Sequence, residues 1–176
     1  MPPGAVNILV GRGSVIGGNV WPLPVPLAKR DGRWVLDGEA GVDELIYRRI
    51  GANELGAIAV CRGSVEAQNE YASAGHDGDS AGIYAMKIVS DAGRQNGLYW
   101  PTAAGESPSP AGEFVANAAA EVYRRNPAAY HGYRYRMLYR QGKNAAGGAR
   151  DYFKDGLLTE GYVLVAWPAE YGVSGV

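Results

Sequence analysis

The stretch DGEAGVDELIYRRIGANELGAIAVCRGSVEAQNEYA, Asp37 to Ala72, most limits what this chain can fold into. Its apolar groups fall at Val42, Leu45, Ile46, Ile50, Ala57, Ile58, Cys61, Val65 and Ala72, close to the three-and-four spacing of one helix face. A continuous helix from Val42 to Ala72 is about 45 Å long at the ordinary rise per residue. Gly51, Gly56 and Gly63 are the points where it could break, since each costs about 1 kcal/mol relative to alanine. The segment SAGHDGDSAG, residues 73–82, ends it.

Residues 1–20 are glycine-rich and weakly structured, with one short apolar run, Val6 to Val10, that can form a strand. Alternate prolines in WPLPVPL fix an extended backbone without ladder donors, which suits an edge or covering segment. Asp31-Gly32 between two apolar runs predicts a hairpin. After the long helix, Ile83 to Ser90 fits either a helix or a strand, and Ala111 to Arg125 reads as a second, shorter helix. Gly132 to Arg140 alternates rings and aliphatics with arginine, the period of a half-buried strand. Gly161 to Trp167 is a second strong strand expected to pair with it antiparallel. The expected architecture is α+β, a single domain over 1–176 in which a long N-terminal helix and a shorter helix pack on a small antiparallel sheet.

Charge narrows the partners. Lys plus Arg is 17 and Asp plus Glu is 18, a formal net charge of -1, with no dense basic run to neutralise phosphates, so nucleic acid is not expected. No stretch reaches the roughly 18 consecutive apolar residues of a membrane-spanning helix, and the N-terminus lacks the order of an export signal. Cys61 is the single cysteine, which rules out an intrachain disulfide and a cysteine-built metal site. No cofactor motif is present, so no cofactor is expected.

Asn53, Glu54 and Gln68 are polar interruptions near the apolar stripe, and buried polar groups must find partners. The plain expectation is that they bind loop backbone; the sharper one makes Glu54 an acid or base working with an arginine or His131. An enzyme needs Glu54 or His131 to open into a concave pocket with converging polar groups, whereas a structural domain buries Glu54 against loop backbone. His131 stands without a nucleophile elbow or Cys-His arrangement and reads as a loop or strand-edge residue. Asp77 and Asp79 in HDGDSAG resemble the opening of a calcium loop, but Ala81 and Ile88 stand where oxygen ligands belong. A solvated turn, and no metal, is the expectation there. Three Trp-Pro pairs begin at Trp21, Trp100 and Trp167; they either pack one aromatic core layer or, with Tyr99, Tyr133, Tyr135 and Tyr162, line a groove for sugar or peptide.

Several long motifs stand in one order: WPLPVPL, RRIGANELGAI, AQNEYA, GLYWP, YHGYRYRML, QGKNAAGGARDY and LVAWPAEYGVSGV. Together they resemble the bacterial family known as domain of unknown function 2950, from about Trp21 onward. Members of that family are usually exported, with a signal and a further N-terminal region, and they continue past the position of Val176. The resemblance therefore implies a fragment of an extracytoplasmic protein, in the periplasm or secreted. No activity comes with that family; the expected role is non-enzymatic, structural or binding, in the cell envelope, with an envelope protein or polysaccharide as partner, and the alternative is a hydrolase using Glu54 with an arginine or His131. The order NE, AQNEY, GYRYRM and VAWPAEYGVSG is also similar to the globular part of type IV pilins and pseudopilins.

Overall fold

The computed structural model describes residues 7–8, 15–16, 21–112 and 129–176. The shorter helix expected over 111–125 lies outside the described residues except for Ala111 and Gly112. Among those described there is one helix and a set of short strands, so the chain is α+β. The contacts gather into two compact units, residues 1–52 and 53–176.

In the first unit, β1 (Asn7–Ile8) pairs with β4 (Leu27–Arg30), which pairs with β5 (Arg33–Leu36), all antiparallel; β2 (Val15–Ile16) pairs with β3 (Trp21–Pro22). The β4–β5 turn is the expected one, because Asp31 and Gly32 both take positive φ, 52° and 80°. The helix α1 (Gly38–Ala72) begins here. Asp37 caps it, its Oδ1 accepting the Ala40 N–H at 3.3 Å while Arg30 holds its Oδ2 at 3.0 Å.

The second unit contains the rest of α1 and the remaining strands. β8 (Tyr133–Leu138) and β13 (Val163–Pro168) pair antiparallel over their whole length, Tyr133 opposite Pro168 and Leu138 opposite Val163. Tyr133, Tyr135 and Met137 are buried and Arg136 is exposed, the alternation read from the sequence. Smaller antiparallel ladders join β9 (Arg140–Gln141) to β10 (Arg150–Asp151) and β11 (Phe153–Lys154) to β12 (Leu157–Leu158). The ambiguous segment before residue 90 yields a strand, β6 (Lys87–Val89), which pairs in parallel with β7 (Gly97–Tyr99). In place of one antiparallel sheet there are, among the described residues, six small ones, five antiparallel and one parallel.

The glycines do not break α1, but its buried face differs from the expected stripe. In the second unit the buried residues are Ala57, Val60, Ser64, Ala67, Gln68 and Tyr71, whereas Leu55, Ile58 and Val65 are 71%, 48% and 47% exposed. The period is that of a helix, but small and polar side chains occupy the inner face. Two clusters explain this. Ala57 and Val60 meet the rings of Tyr133 and Tyr135, with Leu164 and Ala166 alongside. Ala67 and Tyr71 meet Ala85, Leu98 and Ala111, with Ile88, Tyr99 and Trp100 around them. On this inner face Tyr133 and Tyr135 supply the rings that pack on Ala57 and Val60, and Tyr71 supplies the helix's own ring to the second cluster.

Candidate binding site

Halfway along α1, three distant motifs converge. The Asn53 amide donates to the Ser174 carbonyl at 2.9 Å. Gly132, at φ 69°, comes so close to the same amide that no side chain fits between them. His131, at φ 48°, lays its ring against Gly56 and edge-on to Tyr130, their centroids 4.4 Å apart. The Tyr133 hydroxyl lies against Gly175 and is joined to the Val176 backbone; burial above all, with the Glu54 charge second, pushes its pKa up. RRIGANELGAI, YHGYRYRML and EYGVSGV thus close around one turn of helix.

Beside this turn is a hollow of about 370 Å³ lined by Glu54, Ala57, Ile58, Cys61, Arg62, Tyr133 and Ala166. Its walls are apolar apart from the charged groups of Glu54 and Arg62. Burial raises the Cys61 pKa, which keeps the thiol protonated and a poor nucleophile. Asn53 and Gln68 bond loop backbone; among the described residues no such bond joins Glu54.

Gln68 is 1% exposed and bonds both polar groups of Ala85, its Oε1 accepting the N–H and its Nε2 donating to the carbonyl, each at 2.9 Å. One turn on, the Tyr71 hydroxyl donates to the Gln95 carbonyl at 2.7 Å, and its ring stacks on His76 at 4.0 Å. His76 reaches the Tyr71 carbonyl through Nε2 at 3.0 Å and the Gln95 Oε1 through Nδ1 at 3.3 Å. Asp77, at φ 51°, accepts the Gln95 N–H at 3.0 Å and pairs with Arg94 at 3.3 Å. Its carboxylate is therefore committed to closing the loop. Asp79 is exposed, and among the described residues no group of three or more His, Cys, Asp and Glu is placed to hold a metal ion.

These contacts frame the larger hollow, about 510 Å³, at the C-terminal end of α1. Its lining includes Glu70, His76, Gln95, Trp100, Glu106 and Pro110, and among the described residues no lysine or arginine. The Trp100 ring lies edge-on to Tyr71 at 6.4 Å and tilted to His76 at 5.4 Å. The volume falls within the roughly 300–1,000 Å³ of small-ligand sites. An indole, an imidazole, an amide and two carboxylates at one concavity suit a ligand with hydroxyls or positive charge and disfavour an anion.

Of the residues singled out from the sequence, Trp100 alone lines this hollow. Tyr99 packs on the core beside it, Gln68 supports it from below, and Asn53, Glu54 and His131 belong to the mid-helix turn. Trp167 is 39% exposed on β13, and among the described residues no ring contact joins it to Trp100. Sequence reading missed Glu70, His76, Gln95 and Glu106 as lining residues. Only His76, in a turn rich in glycine and acid, carried a signal.

The fold and its hollows define an α+β protein organised on one long helix, with concave surfaces suited to binding. The chain belongs to the family described as protein of unknown function, DUF2950, whose model matches residues 12–176. No curated protein and no solved structure matches it.

Proposed function

We propose that this is a non-enzymatic binding domain of the bacterial cell envelope, acting outside the cytoplasm, and that the hollow at the end of α1 takes a neutral or amino-sugar glycan. The observation that carries it is the joint presence of Trp100, His76, Gln95, Glu70 and Glu106 around one 510 Å³ concavity with no basic residue among the described ones that line it. An indole face stacks on sugar C–H groups, carboxylates and an amide accept from hydroxyls, and the acidic pair attracts an ammonium. The extracytoplasmic setting is supported by the family resemblance. The pilin-like arrangement belongs to the same reading, supported by the packing of Ala57 and Val60 against Tyr133 and Tyr135 of an antiparallel pair.

The test is calorimetric titration with glucosamine, N-acetylglucosamine and uronic-acid oligosaccharides. The first two should bind and the third should not; Trp100→Ala should weaken binding at least about tenfold, or 1.4 kcal/mol. Glu70→Gln should weaken the amino sugar selectively. Absence of binding to all three up to millimolar concentration rejects the glycan.

One observation favours a second reading, a hydrolase using Glu54: that side chain lines a solvent-reached hollow with Arg62 and Tyr133. Support for it is weaker, because the hollow's walls are otherwise apolar and Cys61 is held as a thiol. Hydrolysis of any of these oligosaccharides that Glu54→Gln abolishes would establish it.

A further inference from the structure

The face of α1 opposite its buried side carries large apolar side chains. Leu55, Ile58 and Val65 stand exposed on it, with Arg62 exposed among them and Glu54 half-buried at its edge. They recur at three- and four-residue steps, so they form one stripe on the helix. Such stripes on a folded surface mark docking sites.

The charges on this stripe have a specific symmetry. Glu54 lies four residues before Ile58 and Arg62 four residues after it, each about 6 Å along the helix axis from the isoleucine. Among the described residues neither Glu54 nor Arg62 makes an ion pair. A two-fold axis through Ile58 sets an identical helix antiparallel to this one. The two isoleucines then meet, Glu54 faces the partner's Arg62, and Arg62 faces the partner's Glu54. The pattern is self-complementary, which is what an isologous interface requires. The apolar hollow beside Ile58, walled by Ala57, Cys61, Tyr133 and Ala166, offers the second helix a recess for a side chain.

We propose that this face is the interface of a homodimer, formed by antiparallel pairing of the Ile58-centred stripes of two copies. Apolar contact supplies affinity and the two crossed ion pairs fix register and direction. The glycan hollow is lined by other residues, so the two proposals stand or fall separately.

Light scattering coupled to size exclusion, at tens to hundreds of micromolar, tests it. Wild type should run as a dimer. Glu54→Arg alone and Arg62→Glu alone should run as monomers, since each places like charges opposite one another twice. An equimolar mixture of the two single variants should dimerise, because each then meets its opposite, and so should the double variant carrying both substitutions. Circular dichroism of each variant shows that the helix is intact, and recovery in the mixture excludes misfolding as the cause of dissociation. A wild-type chain that stays monomeric overturns the proposal, including one whose Ile58 face takes up a hydrophobic dye and so serves some other partner. A mixture that stays monomeric overturns it as well.

Discussion

The Gln68 side chain and the Ala85 peptide are paired as two strand residues would be, N–H to oxygen and oxygen to N–H, both at 2.9 Å. A helix side chain thereby serves as the ladder partner of a loop. Gln68→Ala leaves two buried backbone groups unsatisfied and should destabilise the chain by about 2–3 kcal/mol, read from the shift in a urea transition. Gln68→Glu should be worse at neutral pH and recover partly in mild acid, relative to wild type, as the carboxyl protonates and can donate.

Two glycines of α1 should respond oppositely to the same substitution. A β-carbon at Gly51 meets nothing within 4 Å, so Gly51→Ala should stabilise by about 1 kcal/mol through helix propensity. A β-carbon at Gly56 would stand 2.5 Å from His131 Cγ and 2.8 Å from its Nδ1, so Gly56→Ala should lower the melting temperature despite better propensity. His131→Gly, at a residue with φ 48°, should restore much of it.

Tyr71 sets an alkaline limit. Burial first, and then the charges of Asp77 and Asp79, push its pKa from 10.0 up to about 12. The folded state thus holds its proton where the unfolded chain releases it. The stability this contributes is present below about pH 10 and lost as the pH rises toward 12. Spectrophotometric titration at 295 nm should show a late-ionising tyrosine that Tyr71→Phe removes, and the variant's denaturation midpoint should fall less steeply between those pH values.

Calcium should not stabilise the HDGDSAG turn, because Asp77 is already engaged by the Gln95 N–H and Arg94. Millimolar calcium should move the melting temperature by less than about 1 °C. Asp77→Ala should cost about 1–2 kcal/mol, the scale of a charge-assisted hydrogen bond.

The helix, the Asp31-Gly32 hairpin and the β8–β13 pair were legible because each has a period or a turn chemistry that local sequence must carry. The buried side of α1 was not, because bulk was taken as the sign of burial. Ile50 and Ala57 of the expected stripe are inside, but so are Val60, Ser64 and Ala67, which were not on it, while Ile58 and Val65, which were, are outside. Gln68 and Asn53 were readable as loop anchors from their place near the stripe; Glu54, equally near, bonds no loop backbone among the described residues. The large hollow could not be read at all. Its walls come from residues 70–76, 95–100 and 106–110, and nothing local relates Glu70 to Glu106.

The bond from Asn53 to Ser174 spans 121 positions, and Tyr133 seals against Gly175. A ribosome delivers these groups in order, so the helix turn at Asn53 emerges long before the residues that lock it. Until Ser174 is made, the second unit lacks this clasp, and the helix turn at Asn53 waits on a contact 121 positions downstream.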